Sequence, residues 1–157
     1  MTPIVAKRRA KPPPSTAETA GVRYIESSAL VAALLEHDSD ALKSLRTRGR
    51  KVTSALTIAE TARAILLARA VARLTADEER AAVRALRRFE RRCYLVGVTD
   101  AVLARVRRPF PVEPIRTLDA VHLATTELLG EPPPLIVVVT RDSRVRENAE
   151  ALGYAVE

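Results

Sequence analysis

Four acidic side chains, Glu26, Glu60, Asp119 and Asp142, occupy positions from which this sequence can do chemistry. Glu26 follows the β-type run Val22-Arg23-Tyr24-Ile25, and Asp142 follows the β-branched run Leu135-Ile136-Val137-Val138-Val139. Asp119 lies in the first turn of an expected helix that starts at Thr117, where a hydroxyl can cap free backbone N–H groups. Val121, Ala124, Leu128 and Leu129 recur there at helical spacing, and Gly130 stops the run. The helix dipole favours an ionised Asp at that end. Glu60 falls in the second turn of a long helix, among Ile58, Ala59, Thr61 and Ala62. Taken singly, each has an ordinary role as a dipole partner or a solvated surface residue. Gathered in one pocket, four carboxylates repel one another and raise their own pKa values unless a cation neutralises them. Hard divalent ions with oxygen ligands meet that need, and Mg²⁺ uses a few carboxylates plus substrate phosphates. Ser28, Thr140 and Ser143 are placed to orient the carboxylates or bound water. The chemistry implied is metal-assisted phosphodiester hydrolysis, with a metal-activated water attacking in line.

The elements that must position these residues alternate between strand and helix. After Glu26-Ser27-Ser28, Ala29 to Leu35 follow helical spacing. A second helix carries Ala41, Leu42 and Leu45, with Ser39 as its cap and Gly49 closing it. Lys51-Val52-Thr53 is a short strand, and Ser54 caps a helix from Ala55 to about Leu74. Thr75-Ala76-Asp77-Glu78 is a capping box for a further helix with Ala82, Ala85, Leu86 and Phe89 on its apolar side. Tyr94 to Val98 reads as a strand, Thr99 or Asp100 starts a short helix, and a proline-broken loop from Pro109 to Pro114 leads to Arg116. Val145, Ala149 and Leu152 form the inward side of a helix after Asp142, and Tyr154-Ala155-Val156 closes the chain as an edge strand. Strands alternating with helices specify an α/β fold with a parallel sheet and crossover helices. In such sheets ligands bind at the carboxyl ends of the strands, which is where Glu26 and Asp142 fall.

Composition sets the outer limits. The 157 residues suit one domain, 47% of them hydrophobic but only 3% aromatic, so the core is built from Ala, Leu, Val and Ile. No apolar run reaches the ~18 residues of a membrane span. One cysteine, Cys93, excludes an internal disulfide and a cysteine metal cluster, is read as a buried strand neighbour, and fits the cytoplasm. The net charge of +7 favours polyanionic partners. Residues 1–20 hold Lys7, Arg8, Arg9, Lys11 and Pro12-Pro13-Pro14, and read as a disordered basic arm before a domain over 21–157. Arg84, Arg88 and Arg92 recur at spacings of four and form a stripe that can follow a nucleic-acid backbone. The stripe lacks interleaved aromatics, so it does not make a base-stacking platform. Arg116 reads as structural or partner-facing, within reach of a phosphate, and His122 as a packing residue.

The stretches YIESSALVAALLE, VTSALTIAETARAI, IRTLDAVHLATTEL and VVVTRDSRVRENAEALGYAV resemble, in one register over 22–157, the PIN-domain family and in particular its VapC-type toxins. The resemblance implies a three-layer α/β/α sandwich and an endoribonuclease dependent on Mg²⁺ or Mn²⁺. It also implies RNA as substrate, a cognate antitoxin that blocks the site, and frequent homodimerisation. The family's acidic quartet falls on Glu26, Glu60, Asp119 and Asp142, and its first-strand hydroxyl on Ser28. One position departs from the pattern: the first strand usually ends in Asp, and here it ends in Glu26. The extra methylene moves the carboxylate outward, and Mg²⁺ demands near-ideal geometry. A second reading follows, of a PIN fold weakened at Glu26 that binds RNA or antitoxin without cutting. A phosphoacceptor receiver domain needs adjacent acids after the first strand and a late lysine, which Glu26-Ser27-Ser28 and Thr140-Arg141-Asp142 do not supply.

Overall fold

The computed structural model describes residues 21–157; the basic arm expected over residues 1–20 lies outside them. Five strands alternate with seven α-helices: β1 (Val22–Ile25), α1 (Ser27–Leu35), α2 (Ser39–Arg46), β2 (Arg50–Ser54), α3 (Ala55–Ala70), α4 (Ala76–Arg92), β3 (Tyr94–Val96), α5 (Asp100–Val106), α6 (Thr117–Glu127), β4 (Ile136–Val139), α7 (Ser143–Ala151) and β5 (Ala155–Val156). All four strand pairings are parallel, in the order β3-β2-β1-β4-β5. The chain steps outward from β1 to β2 and β3, then crosses back to β4 and β5. The reversal falls between β1 and β4, the switch point at which open parallel sheets build their ligand crevices.

Period-two alternation sends successive strand residues to opposite faces of the sheet. Val22, Tyr24, Val52, Ile136 and Val138 pack with Val102 of α5, Ala120, Leu123 and Ala124 of α6, and Val145 and Ala149 of α7. Ile25 and Val139 point the other way, against Leu30 of α1, Ile65 of α3, and Ala82 and Leu86 of α4. The result is the three-layer α/β/α sandwich that the family resemblance implied, around the parallel sheet that the strand–helix alternation specified. With few aromatics, both cores rely on small aliphatic side chains, so truncating fully buried Leu30 or Ile65 to Ala would cost roughly 2–5 kcal/mol.

Local signals set most boundaries, with shifts of one or a few residues. Ser54 accepts from Leu56 N, and Thr75 with Glu78 closes both halves of the capping box of α4. Helix α2 is capped by Asp38, whose carboxylate accepts from Ala41 N, instead of Ser39, its first helical residue. Helix α6 is preceded by Arg116 without a side-chain cap, so Thr117 opens the helix and does not cap it. Helix α3 ends at Ala70, short of Leu74, because Ala72 turns to a φ of 57° and Arg73 N and Leu74 N fold back onto Ala68 O. No helix among the described residues is long and apolar enough to cross a membrane.

Candidate metal and phosphodiester site

The site begins where β1 and β4 end. Glu26 N continues the ladder by donating to Val139 O at 3.0 Å, and the next residue starts α1. Glu26 is 3% exposed, and hydroxyls satisfy both its carboxylate oxygens. Ser27 donates to Oε1 at 2.7 Å, Thr140 donates to Oε2 at 2.8 Å, and Ser28 also donates to Oε2. The same hydroxyls accept from the β4 exit: Arg141 N donates to Ser28 Oγ at 2.8 Å and Asp142 N to Thr140 Oγ1 at 3.0 Å. The two strand exits are thereby joined through the groups that hold Glu26. Asp142 caps α7, its Oδ1 accepting from Arg144 N and Val145 N, while Oδ2 accepts from Arg116.

Helices α3 and α6 bring in the second pair. His122 is 1% exposed, with Nε2 2.7 Å from Glu60 Oε2 and 3.7 Å from Glu26 Oε1. Its Nδ1 is 2.9 Å from the hydroxyl of fully buried Tyr24 on β1. A buried chain therefore runs from Tyr24 through the imidazole to Glu60, with Glu26 alongside. Burial pushes the Glu60 carboxyl up, but the hydrogen bond and charge of His122, with lesser help from Ser27 and Arg116, bring it below its ordinary value. Burial, with the charges of Glu26 and Glu60 behind it, drives the Tyr24 phenol well above its ordinary range, so Tyr24 stays neutral. The mutual repulsion expected of a carboxylate pocket is thus answered in part by the protein's own groups, the hydrogen bond of His122 to Glu60 and the charge of Arg116.

The third cluster lies on the loop and first turn of α6. Arg116 Nε donates to Asp119 Oδ2 at 2.8 Å, and Nη2 reaches Asp119 Oδ1 at 3.3 Å and Asp142 Oδ2 at 2.7 Å. The Asp119 side chain is 9% exposed and that of Arg116 60% exposed. Those ion pairs, Asp119 first, hold the guanidinium pKa above its ordinary value. The loop that delivers Arg116 is held to α7 by buried Asn148, which accepts from Val112 N and donates to Val112 O, both at 2.9 Å. One helix therefore fixes both Asp142 and the approach to Arg116.

The candidates read from sequence fall in three groups. Glu26, Glu60, Asp119 and Asp142 line one connected network, and Ser28 and Thr140 hold Glu26 within it. Ser143, exposed at the start of α7, makes no hydrogen bond to these carboxylates among the described residues. Arg84, Arg88 and Arg92 are exposed on α4 and form no ion pair among the described residues. Arg116 belongs to the acidic network itself. His122 is not merely a packing residue, and with Tyr24 and Ser27 it is part of the site that sequence reasoning missed. Its one signal was the three-residue step from Asp119, which places both on one side of a helix. Cys93 is half-buried, its thiol pushed up to about 12 chiefly by burial, which leaves it an unreactive neighbour of β3.

The donor set suits a divalent cation. One ligand atom each from Glu26, Glu60 and His122 lies within 4.8 Å of the others, with Glu26 and His122 buried. Two carboxylates and an imidazole are ligands that such ions accept.

The PIN domain model matches residues 23–151. The chain belongs to the PIN-domain family. Among curated relatives of this PIN domain, ribonuclease VapC35 of Mycobacterium tuberculosis is 41% identical over 137 residues, which cover 85% of this chain and 93% of that protein. Ribonuclease VapC46 of the same organism is 42% identical over 135 residues, covering 85% and 94%. These identities place the PIN domain with the VapC proteins. Among solved structures, VapBC2 of Rickettsia felis, bound to a promoter DNA fragment, superposes with a TM-score of 0.59 at 12% identity over 87% of this chain and 97% of that one. VapC20 of M. tuberculosis, a toxin that cleaves the sarcin–ricin loop, gives 0.57 at 19% identity over 85% and 96%. At such identities the solved structures speak for the fold.

Proposed function

We propose that this PIN domain is an endoribonuclease that hydrolyses RNA phosphodiester bonds with a divalent ion, and that it is the toxin of a toxin–antitoxin pair acting in the cytoplasm. The observation that carries the reading is the largely buried Glu26–Glu60–His122 cluster, with Glu60 half-buried, in one network with Asp119 and Asp142 at the switch point of the sheet. Glu26, Glu60 and His122 would hold the ion from the buried side, and Asp119 and Asp142 would join them as ligands at the outer side, and Mg²⁺ or Mn²⁺ suits a set dominated by carboxylates. Such an ion, when bound, supplies Lewis-acid polarisation of the phosphoryl group and lowers the pKa of an attacking water. The residues of the chain do the rest. Ser27, Ser28 and Thr140 hold the Glu26 carboxylate in one orientation. Tyr24 sets the imidazole of His122, and His122 sets Glu60. The exposed arginines of α4 provide positive surface for the RNA backbone.

The relatives named ribonuclease VapC support RNA as the substrate, and the toxin–antitoxin neighbours support a protein antitoxin as partner. The weakened-PIN alternative draws on Glu26 standing where Asp is usual. The three hydroxyls around that carboxylate favour the active reading, because this pocket is built to the length of Glu. The test is cleavage of total RNA with Mg²⁺, Mn²⁺ or EDTA by wild type and Asp119→Asn. Metal-dependent cutting that disappears in the variant, with an unchanged circular dichroism spectrum, is expected. Full activity in Asp119→Asn would sink the assignment.

A further inference from the structure

Arg116 and a divalent ion would contend for the same carboxylate oxygens. Both oxygens of Asp119 are taken by the guanidinium, at 2.8 and 3.3 Å. Asp142 Oδ1 is committed to the N-terminus of α7, and its free oxygen, Oδ2, is taken by Arg116 at 2.7 Å. A guanidinium fork on two carboxylates is the arrangement in which a protein supplies its own counter-charge. The backbone of Arg116 is fixed, since its carbonyl accepts the first bond of α6 from Ala120 N at 2.9 Å. Among the described residues, its side chain is held by those ion pairs alone. At 60% exposed, it can swing into solvent without opening a cavity.

We propose that Arg116 is an exchangeable cation of the site: it neutralises Asp119 and Asp142 until a divalent ion takes those carboxylates, and its released guanidinium then takes a phosphate of the RNA. The inference rests on the metal-dependent reading above and adds an intramolecular competitor to it. The competitor serves two ends. Without metal, it spares the fold the repulsion of Asp119 and Asp142. With metal, it leaves a forked phosphate-binding group at the mouth of the acidic wall, where a scissile backbone would lie. Binding of metal and readiness for RNA thus become one event.

The experiment is a calorimetric titration of Mn²⁺ into wild type, Arg116→Gln, Arg116→Lys and Asp119→Asn, with thermal melting in EDTA alongside. Removing charge-assisted hydrogen bonds that oppose the metal should tighten Mn²⁺ binding roughly tenfold in Arg116→Gln. The same variant should melt at a lower temperature than wild type in EDTA. Arg116→Lys, which keeps the charge but cannot fork across two carboxylates, should fall between them, and it serves if the glutamine variant fails to fold. At saturating Mn²⁺, the RNA concentration for half-maximal cleavage should rise several-fold in Arg116→Gln. Mn²⁺ binding no tighter than wild type in both Arg116 variants overturns the exchange, and an unchanged RNA requirement overturns the phosphate role. Asp119→Asn binding Mn²⁺ like wild type would instead mean that the underlying metal-site reading has failed.

Discussion

His122 Nε2 and Glu60 Oε2 lie 2.7 Å apart across 62 residues of sequence, joining α6 to α3 at the mouth of the sheet. The other ring nitrogen is held by Tyr24, so the imidazole has a partner on each side and no freedom to rotate. A ligating or carboxylate-bound histidine oriented through its second nitrogen is a common support for metal sites. His122→Ala should therefore lower Mn²⁺ affinity by about 10- to 100-fold in a titration. Tyr24→Phe should have a smaller effect on metal and cost about 1–3 kcal/mol in urea unfolding, since it leaves a buried nitrogen unsatisfied. Wild-type Mn²⁺ affinity in His122→Ala would remove the histidine from the site.

Glu60 gives the site a pH signature. Its folded pKa lies below the ordinary 4.5, so its ionisation contributes stability that is fully present above 4.5 and is lost as pH falls through the folded value. Glu60→Gln lacks that contribution at every pH. The stability gap between wild type and Glu60→Gln, measured by urea unfolding without metal, should shrink as pH falls below 4.5. A gap that widens below 4.5 would reverse the sign and with it the His122–Glu60 pairing.

Glu26→Asp tests the departure from the family pattern. Shortening the side chain draws the carboxylate back from Ser27, Ser28 and Thr140, and the loss of one such bond should cost about 1–3 kcal/mol. We expect lower stability and slower RNA cleavage. A variant that cuts faster than wild type would favour the weakened-PIN reading in its place.

The α4 stripe makes a prediction about salt. Arg84, Arg88 and Arg92 are exposed, so changing all three to Ala should leave the thermal unfolding midpoint almost unchanged. If each contacts one phosphate, the slope of log affinity against log salt for single-stranded RNA should fall by about 2 units, near 0.7 per contact. An unchanged slope would assign the stripe to solvent or to a protein partner.

Sequence alone determined much of this protein, because much of it is local. The continuous apolar run at Ile136–Val139 marked a central strand covered on both faces, and the Thr75–Glu78 box set the start of α4. Strand exits put Glu26 and Asp142 at one sheet edge, and a first helical turn held Asp119 as an ionised carboxylate. Tertiary structure decided how those carboxylates are held and neutralised. Tyr24 meets His122 across 98 residues, Thr140 meets Glu26 across 114, and Arg116 meets Asp142 across 26. Such contacts carry no periodicity and no short-range signature. They exist because a parallel sheet brings distant strand exits together while two helices on opposite layers turn their first residues toward the same crevice. A histidine on an apolar helix, or an arginine before one, looks like packing or surface until the partner across the crevice is known.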